Sequence, residues 1–261
     1  MTKEEKLKKI SEIVPLLKAN EEKVIKDNTD LGHINGVFAN NSFFYAIHAY
    51  YIENDINKAK DLFSLVGKYR LEQAKKTEGS RIFQTARTLI SNIAISDNLN
   101  LIKEYNDFDY PISYVSRNKT VTTSFKEWVQ EGEEGSIYSK IMLNAMNQEL
   151  TKLEENLYTF KNITLKKKMN EKMFMDLEFY ENLLKKDTNL IQSSIENFLT
   201  KKEHKYRNQH DIFPELISYP AIGYAKIALI NGIEIEIMND LIPMDLIKVK
   251  QLESYSETKK L

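Results

Sequence analysis

The run SYPAIGYAKIALINGIEIEIMNDLIPMDLI, Ser218 to Ile247, constrains the fold more than any other part of this chain. Between Ala221 and Ile230 the side chains of Ile222, Tyr224, Ala225, Ile227, Ala228, Leu229 and Ile230 surround a helix on nearly every side, with Lys226 as the main polar position. A helix that is apolar all round belongs in the middle of a fold. It is about half as long as the roughly 20 residues a membrane span requires, so the core of a globular protein is the expected place for it. Pro220 suits its first turn, Gly223 and the alanines permit neighbours to approach, and Gly232 sits where a left-handed C-terminal cap is expected. Ile233, Ile235 and Ile237 then alternate with Glu234 and Glu236, which predicts a short extended strip over 233–238.

Such a helix needs a shell, and the rest of the chain can supply one. With 261 residues, 42% of them hydrophobic, it fits one large domain or two small ones. Glycine and proline number only 8 and 5, which favours helices joined by short turns. Leu7, Ile10, Val14 and Leu17 recur at helical spacing, although Pro15 predicts a short or bent first helix. The stretch DNTDLGHING reads as a turn. Phe44, Ile47 and Tyr51 mark the next helix, and Ala59, Leu62, Val66 and Tyr69 the one after, the two forming an antiparallel pair about NDIN. Ser80 is placed to cap a helix carrying Ile82, Phe83, Ala86, Leu89, Ile90 and Ile93. From Tyr138 to Phe160 a single stripe predicts the longest helix, followed by helices through Met173–Leu184 and, capped by Thr188, Ile191–Lys202. The fold class is therefore all-α: an irregular antiparallel bundle or α-hairpin stack of about 8–10 helices. A small extended or β-like region near 108–125 interrupts it. One helical domain spans 1–261, and the break QEGEEGS divides it into possible halves, 1–130 and 136–261.

Chemistry is sparse. Basic and acidic residues, 37 and 38, nearly cancel, so nucleic acid or anionic lipid could be held only by a local patch. The absence of cysteine excludes disulfides, thiolate zinc sites, iron–sulfur clusters and a cysteine nucleophile. Together with an N-terminus that lacks an export signal, it points to the cytoplasm. His33, His48, His204 and His210 do not form a metal-ligand spacing, and His48 reads as a half-buried side chain with a local hydrogen bond. No nucleophile elbow or phosphate-binding loop occurs. Neither an enzyme, nor a cofactor, nor a metal site is expected. The basic runs Leu165–Lys172 and Lys201–Arg207 read first as solvated helix ends, and the second is the only support for nucleic-acid binding.

The order of features in FPELISYPAIGYAKIALINGIEIEIMNDLIPMDLI resembles the C-terminal signature of the immunity protein 49 family of bacterial polymorphic toxin systems. In that signature a helix of small and apolar residues ending near Gly232 precedes an alternating segment and a close here made by Leu241, Ile242, Pro243, Asp245 and Leu246. The resemblance implies a protein that binds and neutralises a cognate toxin by surface complementarity, without catalysis, and it carries over no site residues. A helical-repeat adaptor for another protein is the alternative. Two acidic clusters with interleaved aromatics are the candidate toxin-facing surface: Glu104, Asp107 and Asp109 among Tyr105, Phe108 and Tyr110, and Glu131, Glu133 and Glu134 beside Trp128. Aromatics amid carboxylates can anchor a basic partner. They can equally pack inward beneath a solvated acidic loop.

Overall fold

The computed structural model describes residues 2–27, 30–76, 86–109, 111–116, 118–164, 166, 173–208 and 213–259. Among these residues the chain is all-α, with thirteen helices and one two-stranded hairpin. Helix α1 (Lys3–Asp27) runs through Pro15 and is not the short helix that proline predicts. Pro15 is exposed, so water can satisfy the carbonyl that the ring leaves without a donor. Helices α2 (Leu31–Tyr51) and α3 (Ile56–Lys76) pack together across a short turn in which Asn54 adopts φ +54°. The segment LGHING, read above as a turn, is the start of α2. Asp30 caps it, accepting from Gly32 N at 2.8 Å and His33 N at 3.2 Å, and thereby satisfies amides that a turn would have left to water.

Helix α4 (Ala86–Ile95) follows, while the expected cap Ser80 and the positions Ile82 and Phe83 lie outside the described residues. Helix α5 (Leu99–Asp107) is capped by Asn98. Strands β1 (Pro111–Ser116) and β2 (Lys119–Ser124) pair antiparallel, Pro111 opposite Ser124 and Ser116 opposite Lys119, in the region where the sequence predicts an extended insertion. The single long helix expected from Tyr138 to Phe160 is instead split into α7 (Glu134–Met146) and α8 (Leu150–Thr159), preceded by the short α6 (Phe125–Gln130). Asn147 Nδ2 donates to Leu143 O at 2.8 Å and Gln148 takes φ +57°, so side-chain competition and a left-handed residue end α7 although the apolar stripe continues. The longest described helix is α1.

Helices α9 (Phe174–Lys185), α10 (Thr188–Phe198), α11 (Lys201–Arg207), α12 (Tyr219–Ile230) and α13 (Met244–Ile247) complete the shell. Asp187, not Thr188, caps α10, its carboxylate accepting from Leu190 N at 3.1 Å. One cluster of buried apolar side chains runs from Ile10 to Ile247 and includes residues from both sides of the Gln130–Ser136 break.

The centre is α12, as its composition requires. Every residue from Tyr219 to Ala228 is buried, and the helix packs against α4, α7, α10 and α13. Removing a side chain the size of Ile222 or Ile227 from water contributes about 1.5–3 kcal/mol. Gly223 marks the closest approach: a Cβ there would overlap Ser91 Oγ of α4 and lie 3.4 Å from Met142 Cε of α7. Gly223→Ala is therefore expected to destabilise by about 1–3 kcal/mol, although alanine is the better helix former by about 1 kcal/mol. Urea denaturation measures this, and Ser91→Ala in the same chain should recover most of the loss. An unchanged or raised midpoint for Gly223→Ala would refute the close contact.

After α13 the chain crosses back over the N-terminal helices as an extended tail. Lys250 N donates to Asp97 at 3.1 Å, Tyr255 OH to Ser96 O at 2.9 Å, Ser256 N to Asp61 at 2.7 Å, and Lys259 N to Tyr69 OH at 3.1 Å. Lys259 Nζ reaches Glu21 of α1 at 2.8 Å and lies over the ring of Phe38.

Candidate partner-binding surface

Two buried ionic clusters tie the helices together, and neither faces solvent. In the first, Asp97 in the turn between α4 and α5 accepts from both Lys60 of α3 and Lys226 of α12. Lys60 Nζ also donates to Lys248 O at 2.8 Å, and Lys226 Nζ to Ile247 O at 3.0 Å. The cluster thus joins two core helices to the tail. In the second, Asp176 of α9 holds Arg207 of α11 through two bonds of 2.8 and 3.1 Å and accepts from Tyr138 of α7 at 2.8 Å and from Tyr224 of α12. Burial works against the charge on Arg207, but Asp176 and the two hydroxyls outweigh it and keep the guanidinium fully protonated. Both clusters fix helices to one another.

Burial lowers the pKa of Lys226 from the usual 10.5 to about 8, against the opposing attraction of Asp97. Between those pH values the unfolded chain binds the extra proton, so stability rises with pH through this window. The slope is at most about 1.4 kcal/mol per pH unit. Above about pH 10 the sign reverses: burial raises the phenols of Tyr105 and Tyr224, so the unfolded chain loses protons that the folded one keeps. Stability is expected to climb by about 1–2 kcal/mol between pH 7.5 and 9.5 and then fall. Urea titrations across that range check it; a flat profile, or a rise that survives in Lys226→Met, would contradict the assignment.

The acidic candidates lie along the surface formed by α5, α6 and the start of α7. Asp109 Oδ1 accepts from Lys126 N in the first turn of α6 at 3.0 Å, which ties the first cluster to the helix bearing the second. Trp128 is half-buried and packs against the core. Glu133 caps α7, accepting from Ser136 N at 2.7 Å, and Glu134 lies in the first turn of that helix, where its charge favours the helix dipole. Glu104 pairs with Lys75 of α3 at 3.1 Å. Asp107 and Glu131 are exposed. The charges of Asp107 and Asp109 also act on Lys140, whose pKa is lowered by burial in spite of them and of Glu149. Part of the acidity is thereby consumed in helix capping and local pairing. Tyr110 lies outside the described residues.

The structure also has open hollows. One of about 560 Å³ separates α3 and α5 from the tail and is lined by Glu72, Glu104, Glu253, Glu257 and Lys68 among others. A second, of about 610 Å³, lies between α10 and the strip that follows α12. Among the described residues no three histidine or carboxylate side chains converge as metal ligands, and no helix is long and apolar enough to cross a membrane.

The basic run Lys201–Arg207 does not present a single cationic face. Arg207 is buried on Asp176, Glu203 is buried, and His204 Nε2 bonds to Pro214 O at 2.8 Å, leaving Lys201, Lys202 and Lys205 exposed. Of the run Leu165–Lys172 only Lys166 is among the described residues, and His210 is outside them. His48 is half-buried with Nδ1 3.2 Å from Glu53.

The family model described as Immunity protein 49 matches residues 134–246, from the start of α7 to α13. This is the family whose C-terminal signature the sequence resembles, and the match reaches some eighty residues further toward the N-terminus than that signature, though it covers less than half of the chain. No curated protein and no solved structure matches the chain.

Proposed function

We propose that this chain is an immunity protein that binds a cognate bacterial toxin and neutralises it without catalysis. The family match over residues 134–246 carries the reading, since the family's name describes immunity proteins and the matched segment contains the central helix with α7 and α10, which pack against it. The two buried ionic clusters support it, because their charged groups are committed to joining helices. The surface of α5, α6 and α7 is the proposed toxin-facing region. Asp107 and Glu131 offer exposed carboxylates there, with Trp128 beside them and Glu104, Asp109, Glu133 and Glu134 completing the acidic field. A basic cleft, such as a phosphate-binding site, is the complementary surface.

The test uses the gene immediately upstream at the native locus. The C-terminal region of its product is expressed in a bacterial host with and without this chain, and colonies are counted. Killing by that region alone, relieved on co-expression, is the expected result; absence of relief would overturn the reading. Charge reversal at Asp107 and Glu131 should then reduce rescue.

A further inference from the structure

The strip Ile233–Met238 is strand-like, yet it pairs with no strand among the described residues. Ile233 N bonds to Ala228 O at 3.0 Å, and the next bond to the strip's main chain is Glu236 N to Gln192 Oε1 at 3.4 Å. Ile233, Ile235 and Ile237 are buried, while Glu234, Glu236 and Met238 are exposed. In an extended segment, residues two apart direct their N–H and C=O groups to the same edge. Glu234, Glu236 and Met238 therefore share the edge that faces Gln192 of α10, and on that side lies the hollow of about 610 Å³. The Gln192 amide stands where the carbonyl of a neighbouring strand would stand. Its bond to the strip is long, and its Nε2 is turned to Glu196 at 3.2 Å.

The geometry points to a strand-addition site: an extended segment of a partner protein, alternating apolar and basic residues, lies in this hollow and pairs with the main chain of Glu234, Glu236 and Met238. Strand addition draws affinity from main-chain bonds and specificity from alternate side chains. Inward apolar residues of the segment meet Leu199 and Ile237, which line the hollow. Met238, 96% exposed, is an adaptable cover for them. Outward residues face Glu234 and Glu236. From Ile227 to Ile247 the chain carries Glu234, Glu236, Asp240 and Asp245 and no basic residue, so lysine or arginine is the complementary choice. A second copy of the same strip would set glutamate against glutamate. The inference deepens the partner-binding reading and rests on it for its biological meaning.

The experiment uses the purified full chain, 15N-labelled, and a short capped peptide that alternates valine and lysine. Saturable amide shifts centred on Glu234–Met238 and the facing side of α10 are expected, with hydrogen-exchange protection of Glu234 and Met238. Glu234→Lys combined with Glu236→Lys should weaken binding about tenfold or more, and methylating alternate backbone nitrogens of the peptide should abolish it. Three results would each overturn the inference: no saturable shift, shifts that map instead to the hollow holding Glu104 and Glu253, or binding indifferent to backbone methylation. Because no toxin enters this measurement, peptide binding can fail while colony rescue holds, and the reverse outcome is equally readable.

Discussion

Asp97→Ala is expected to destabilise the protein by about 3–5 kcal/mol, the usual cost of removing one partner from a buried ion pair. The carboxylate is fully buried and accepts from Lys60, Lys226 and Lys250 N, so its loss leaves two ammonium groups in the core and frees the start of the tail. Equilibrium urea unfolding reads the loss as a lowered midpoint. The telling contrast is Lys226→Met. One carboxylate faces two ammonium groups here, and removing Lys226 leaves a balanced Lys60–Asp97 pair with an apolar side chain of similar length in the core. That variant should cost far less than Asp97→Ala, or stabilise. Equal losses from the two substitutions would mean that the cluster works by packing and that its charge balance is unimportant.

Asp176→Ala carries an expectation of similar size, about 3–5 kcal/mol, for a related reason. Arg207 has only 1% of its side chain exposed and lies over the ring of Phe198 with its guanidinium carbon 4.3 Å from the centroid, so it cannot reach water without leaving that seat. Asp176→Ala takes away the nearest carboxylate of this cation, leaving it Glu203 at 3.5 Å, and removes an acceptor shared by the hydroxyls of Tyr138 and Tyr224. A double-mutant cycle with Arg207→Met measures the coupling. The double variant should lose less than the two single losses combined, because the second substitution removes the charge whose main partner the first has taken away. Strict additivity would show that the two side chains do not depend on each other. Both experiments test the scaffold that supports the proposed binding surfaces.

The all-helical class, the central helix and the extended insertion were legible because each rests on a local pattern. Helix α12 is apolar all round, and burial follows directly; the hairpin lies where helical periodicity lapses. Helix boundaries were less legible. The split between α7 and α8 depends on whether Asn147 bonds back to Leu143, a choice that periodicity does not record. Asp97 was the least legible residue. Lys226 stood out as a cation in an apolar helix, which implies a buried acidic partner, but that partner is 129 positions away in a turn and is identified only by the fold. The acidic candidates illustrate the opposite limit. Their composition was plain, but the sequence did not distinguish Glu133, which caps a helix and is half-buried, from Glu131, which is exposed.

The tail's crossing has a consequence for timing during synthesis. Lys250 leaves the ribosome 153 positions after Asp97, to which its amide bonds. At about 5–20 residues per second, roughly 8–30 s separate the two. Through that interval the nascent α2–α3 pair can form, but Asp97 lacks both Lys226 and the tail, and Lys60 lacks the carbonyls of Lys248 and Lys250. A buried carboxylate short of its donors is costly, so the N-terminal helices must stay open enough to hydrate it until the later segments arrive. The closing step of folding is thus assigned to the segment translated after everything it binds.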